Sequence, residues 1–192
     1  ISALLGAVSG SLIVEYATRA FLLRCLEALE ASTLPRDAFE IIVVDNASPT
    51  PVADWSVRFP RVRFLTSRRN LGFAGGNALG LQVARGTHIA LLNPDAVPTP
   101  GWLGRVLAPL DDPSVGIVGS KIFHPGTDVL QHAGGVLFAN ARSEHLGRGQ
   151  RDAGQFESLR DVDYVCGAAF AVRRDVIERF ETRSASPPRS SS

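Results

Sequence analysis

The sequence predicts an α/β fold, a mostly parallel sheet flanked by helices, and three observations carry that expectation. Short apolar runs alternate with helix-periodic stretches at least three times, as successive strand-helix units require. The run 41–44 (IIVV) is apolar without alternation, which suits a strand buried on both faces. Strand candidates end on polar side chains at Glu15-Tyr16, Asp45-Asn46 and Asn93-Pro94-Asp95, so carboxylates and amides are delivered at strand carboxyl ends.

Residues 1–14 form an uncharged run of apolar and small residues. It is shorter than a membrane span and lacks the basic flank of a signal peptide, so residues 1–11 are read as an apolar N-terminal extension. Residues 12–16 form the first strand. Phe21, Leu22, Cys25, Leu26 and Leu29 then recur on one helical face, and that helix must stop before Pro35. After the second strand at 41–44, a weaker helical stretch around Trp55 leads to a third at 62–65. The glycine-rich passage 69–77 precedes a helix that runs to about Ala84. A fourth strand at 88–92 closes on Asn93-Pro94-Asp95, followed by helix at 102–110 and strand at 115–119. Beyond Lys121, Pro125-Gly126, Gly134-Gly135 and the polar stretch 140–160 mark turns and a variable insertion. A last strand region at 162–172 and a helix at 173–180 complete the domain, 12–180. Residues 181–192 are expected to be a disordered Ser/Pro/Arg tail with nothing to bury.

Composition narrows the function classes. A length of 192 residues favours one core. Twenty Lys and Arg against nineteen Asp and Glu leave a net charge of +1, which excludes a global field for nucleic acid. The two cysteines, Cys25 and Cys166, have no metal or redox spacing, which excludes a disulfide scaffold and suits a reducing compartment. Absence of methionine and a start at Ile1 lead us to expect a processed product, an unusual start or a fragment of a longer reading frame. His88, His124, His132 and His145 lack metal-ligand spacing and are read as surface or turn residues. Arg173-Arg174 reads as a solvated pair opening a helix.

In open α/β sheets, ligands settle beyond the strand carboxyl ends where strand order reverses. A carboxylate at the end of a buried strand is costly alone. Asp45 and Asp95 therefore either cap the turns that follow them or face a cation or a hydrogen-bond donor. Between them, Gly72, Gly75, Gly76 and, less freely, Asn77 would let backbone approach a ligand before a helix whose amino end favours anions. The spacing is neither that of a P-loop nor that of a dinucleotide-binding turn.

The segments 41–48 (IIVVDNAS), 69–77 (RNLGFAGGN), 90–98 (ALLNPDAVP) and 167–175 (GAAFAVRRD), in this order, resemble family 2 glycosyltransferases of the GT-A fold, most closely the rhamnosyltransferase-like branch. Residues 12–29 match the family's opening strand and helix, although its usual Tyr-Asn-Ser stands here as Tyr16-Ala17-Thr18. The resemblance implies a nucleoside-diphosphate-sugar donor, a uridine or deoxythymidine diphospho-sugar such as dTDP-rhamnose, bound by Tyr16, Asp45, Asn46, Asn70, Gly72, Phe73, Gly75, Gly76, Asn77, Asn93 and Asp95. Asp45 would accept from the base N–H and Tyr16 would line the nucleotide pocket. Asn93-Pro94-Asp95 occupies the place of the DxD motif, so Asp95 would hold Mg2+ or Mn2+ on the diphosphate, while Asn93 can only hydrogen-bond. The implied reaction is inverting transfer to a hydroxyl of a cell-envelope glycan or lipid-linked acceptor. The implied location is cytoplasmic, peripherally associated with the inner face of the membrane.

The chain departs from the family after Phe180. The glycine-phenylalanine motif and the Glu-Asp pair that would supply the base are absent, and Glu181-Thr182-Arg183 stand there instead. The C-terminal part of the fold is therefore expected to be missing, leaving the apolar stretch 165–172 without a partner. Asp128, Asp161, Asp163 and Glu178 match no base motif. The alternative is a non-catalytic fragment that binds the nucleotide sugar. A nucleotidyltransferase would need a basic, glycine-rich loop after the first strand, which 15–18 (EYAT) is not.

Overall fold

The computed structural model describes residues 9–184. Most of the expected N-terminal extension, 1–8, and residues 185–192 of the expected tail lie outside the described residues. In chain order the elements are β1 (Ser9–Glu15), α1 (Arg19–Glu30), β2 (Phe39–Asp45), β3 (Val62–Thr66), α2 (Gly72–Leu81), β4 (His88–Leu92), α3 (Trp102–Leu107) and β5 (Ile117–Gly119). Then follow β6 (Ile122–Phe123), β7 (Leu130–His132), β8 (Gly135–Leu137), β9 (Ser143–His145), β10 (Ala169–Arg173) and α4 (Arg174–Ser184). β1 takes in Ser9, Gly10 and Ser11, which the sequence reading had placed in the extension, and α4 continues past Phe180.

Six strands form one sheet in the order β3-β2-β1-β4-β10-β5. The first four are parallel, and β10 runs antiparallel to both of its neighbours. Apolar side chains alternate between two helix layers. Ile13, Ile41, Val43 and Ala90 pack with Leu22, Cys25, Leu26 and Leu29 of α1 and with Leu103, Val106 and Leu107 of α3. Leu12, Ile42, Val44, Ile89 and Leu91 meet Leu79 and Leu81 of α2 and Val176 and Ile177 of α4. The apolar stretch expected to lack a partner is covered in part: Ala169, Ala171 and Val172 are buried in β10, which lies between β4 and β5, while 165–168 and Phe170 are half-buried or exposed. Phe21, assigned to the apolar face of α1, is exposed.

Glycines in α2 serve the contact between helix and sheet. A Cβ on Gly76 would stand 2.6 Å from Val14 Cγ1, and one on Gly80 would overlap Leu12, so the bare backbone lets the helix lie against β1. The helix itself begins at Gly72, inside the passage expected to be a loop. Of these residues, Gly72 has a left-handed φ, +70°, with open space where a side chain would stand.

Residues between β5 and β10 form two small antiparallel pairs, β6 with β7 and β8 with β9. His132, read as a surface histidine, is 1% exposed there. Its Nδ1 stands 3.0 Å from Nδ1 of His145, and the Tyr164 ring lies near both imidazoles. Burial, helped by the neighbouring His145, holds His132 below its usual pKa. One proton fits between the two Nδ1 atoms, so charging both rings sets N–H against N–H. Arg173 and Arg174, read as solvated, are engaged instead: Arg173 pairs with Asp175 and donates to the Pro113 carbonyl, while Arg174 donates to the Gly86 and Ala84 carbonyls.

Two predictions arise from this packing. Gly76→Ala would ordinarily stabilise a helix, but the clash with the Val14 methyls makes it destabilising by about 1 to 3 kcal/mol, read by denaturant unfolding. The His132 pKa is depressed on folding, so the unfolded chain takes up the proton first. The associated stability is present above about pH 6.5 and is lost as pH falls through the folded value. Melting temperature therefore drops between pH 7 and pH 5, and His132→Gln flattens that dependence whatever its effect at pH 8.

Candidate functional site

Chain order sets where the site lies. The chain steps outward from β1 to β2 to β3, then returns to place β4 on the other side of β1. The crevice at this reversal is at the carboxyl ends of β1 and β4, where Tyr16 and Asn93-Pro94-Asp95 emerge, with Asp45 one strand away. β10 starts at the same edge, since Ala169 pairs with Leu92 and Asn93 N–H donates to the Ala168 carbonyl at 2.8 Å. The insertion between β5 and β10 therefore rises beside the NPD turn.

Asp45 is 1% exposed, and its two carboxylate oxygens accept Ser48 N–H at 2.8 Å and Val52 N–H at 3.2 Å. It thus caps the loop after β2 while each oxygen retains acceptor capacity. Its neighbour Asn46, 2% exposed, donates through Nδ2 to Asn70 Oδ1 at 3.0 Å and to the Gly72 carbonyl at 3.1 Å, and its Oδ1 accepts Leu71 N–H at 2.9 Å. Asn70 Oδ1 also accepts Gly72 N–H at 2.8 Å. Asn77 is buried and donates to the Phe73 carbonyl. These amides are engaged with backbone, a geometry that their sequence positions did not disclose.

At the end of β1, the buried Glu15 carboxylate accepts Thr18 N–H at 2.7 Å and the Thr18 hydroxyl, anchoring the start of α1. Ala17 is held left-handed, φ +57°, and donates to Ser48 Oγ at 3.1 Å, which ties the first loop to the second. Ala47 is left-handed too, φ +66°. Tyr16 is 48% exposed and Phe73, in the first turn of α2, 54% exposed. Both aromatic rings thus stand open to solvent near the sheet edge where Asp45 and Asp95 emerge.

Asp95 is exposed and, among the described residues, makes no hydrogen bond or ion pair. Its charge reaches Cys25, whose Sγ lies 3.9 Å from the Asn93 carbonyl. Burial first and Asp95 second push that thiol up to about 12. No group of three His, Cys, Asp or Glu among the described residues could hold a metal. The exposed Asp95 carboxylate is an oxygen donor of the kind a hard divalent cation accepts. Among the discounted bases, Asp163 accepts Leu137 N–H and Asp128 faces Arg151. No helix among the described residues is long and apolar enough to cross a membrane.

Comparison with known proteins agrees with this fold. The O-antigen biosynthesis protein RfbC of Myxococcus xanthus is 32% identical over 188 residues, covering 90% of this chain and 14% of that protein. The pre-mycofactocin glycosyltransferase of Mycobacterium tuberculosis is 29% identical over 139 residues, covering 71% of this chain and 28% of that protein. Among solved structures, the mannosyltransferase PcManGT of Pyrobaculum calidifontis, in complex with GDP-Man and Mn2+, superposes with a TM-score of 0.64 at 19% identity, over 91% of this chain and 46% of that one. TarS 1–349 of S. aureus in complex with UDP gives 0.64 at 15%, over 91% and 49%. The chain thus spans less than half the length of each of these relatives. Its fold is that of the GT-A glycosyltransferases, and residues 12–180 match the description "Glycosyl transferase family 2". The chain belongs to that family.

Proposed function

We propose that this domain binds the nucleoside diphosphate of a uridine or deoxythymidine diphospho-sugar at the carboxyl edge of β1, β2 and β4. The sugar then passes, with inversion, to a hydroxyl of a cell-envelope glycan or lipid-linked acceptor at the cytoplasmic face of the membrane. The observation that carries this reading is that Tyr16, Asp45 and Asp95 all stand at the carboxyl ends of the neighbouring parallel strands β1, β2 and β4, beside the point where strand order reverses. Tyr16 and Phe73 offer exposed rings for a base to stack on. Asp45 turns its remaining acceptor capacity to the base N–H, and Asn93 hydrogen-bonds the sugar or phosphate. Gly75, in the first turn of α2, would lie at the floor beneath, while Gly76 and Asn77 are buried and support it from behind. Asp95 would hold Mg2+ or Mn2+ against the diphosphate, where the cation neutralises charge on the leaving group. RfbC is named for O-antigen biosynthesis, and the two solved structures carry a nucleotide or a nucleotide sugar, which supports the donor class.

Asp95→Ala is expected to abolish Mn2+-dependent binding of uridine and deoxythymidine diphosphates in calorimetry run with and without EDTA. Equal affinity in wild type and variant, with metal present, would remove Asp95 from the metal role. Asp45→Asn is expected to weaken both nucleotides about tenfold or more, since a charged acceptor contributes roughly 1.5 to 3 kcal/mol, and to leave inorganic pyrophosphate unaffected. A uniform loss for all three ligands would confine Asp45 to its loop-capping bonds. Release of nucleoside diphosphate from a donor panel in a membrane extract tests the transfer itself.

A further inference from the structure

We infer that Asn46 and Asn70 are a positioning pair that latches the amino end of α2 to the carboxyl end of β2, and that donor affinity depends on the latch rather than on contact with either amide. This rests on the donor reading above. Asn46 is buried, and all three of its side-chain bonds run to the three-residue segment Asn70, Leu71 and Gly72. β3 and its following loop separate the two places in the chain, so no local turn rule holds them together.

An amide is the group that fits. Position 46 must donate to two acceptors, Asn70 Oδ1 and the Gly72 carbonyl, while accepting Leu71 N–H. Asn70 Oδ1 is itself shared between Asn46 and Gly72 N–H. The segment it fixes contains Gly72 in a left-handed conformation, and α2 starts at that residue without a side-chain cap on its N-cap residue, Leu71. On the other side, Asn46 N–H donates to the Glu15 carbonyl at 2.8 Å, and Ser67 N–H donates to the Asp45 carbonyl at 2.8 Å. The ends of β1, β2 and β3 and the start of α2 are thus held in one register, with Phe73 carried immediately beyond the latch.

The test combines nucleotide affinity with amide exchange in the ligand-free protein. Asn46→Asp keeps the shape but sets a carboxylate oxygen against two acceptors. Leu71 and Gly72 amides are expected to exchange at least tenfold faster, with Ile42 and Val43 unchanged, and affinity for uridine or deoxythymidine diphosphate to fall at least fivefold. Asn70→Ala, an exposed site that leaves the core intact, is expected to speed exchange at Gly72, spare Leu71, and lower affinity by a smaller factor. Weakened binding with unchanged exchange at Leu71 and Gly72 would make the amides direct ligands. Faster exchange with unchanged affinity would sever the latch from donor binding, and faster exchange throughout β2 would make Asn46 a general support of the fold. Any of these overturns the inference. A wild-type chain that binds neither nucleotide overturns the donor reading and the latch's part in it, while the exchange rates still report whether the bonds hold.

Discussion

Two adjacent buried polar side chains at the end of β2, Asp45 and Asn46, hold together the edge of the sheet on which the site is built. Burial of such groups is tolerable when their hydrogen bonds are made, and here they are made to two different parts of the chain. Asp45 organises the loop 46–52, and Asn46 reaches the start of α2. Backbone bonds from the same turn reach β1 and the end of β3. The buried polar residues at this edge are therefore the ones that give it a single shape.

The glycines show how one residue type can meet a different demand from the one its context suggests. In the passage 69–77, closeness to a ligand and closeness to another backbone look alike in sequence, since both need a missing Cβ. Val14 and Leu12 on β1 occupy the space that side chains at positions 76 and 80 would need. The resulting approach of helix to sheet sets how far the first turn of α2 stands from the ends of β1 and β2. A packing constraint on one face of the sheet thus becomes a geometric constraint on the site.

The insertion between β5 and β10 has its own polar centre. Small two-stranded pairs bury little apolar surface, so side-chain contacts must supplement the ladder. The His132–His145 pair with Tyr164 beside it, and Lys121 between Asp152 and Glu157, supply such contacts. Because both ends of the insertion return to the β4 edge, its integrity bears on the wall beside the NPD turn.

The order and type of the main elements, the doubly buried strand 41–44 and the delivery of Asp45, Asn46 and Asp95 at strand ends were legible in sequence, because periodicity and turn chemistry act over a few neighbouring residues. So was the family, through four short segments in a fixed order. The tertiary structure alone decided the rest: the place of β10 between β4 and β5, which buries part of a stretch expected to be bare, the burial of His132, the exposure of Phe21, the use of Gly76 and Gly80 against β1, and the engagement of Asn46 with Asn70 and Gly72. Each of these depends on what a residue meets from a distant part of the chain. Local patterns carry no record of that partner until the sheet order has brought the two together.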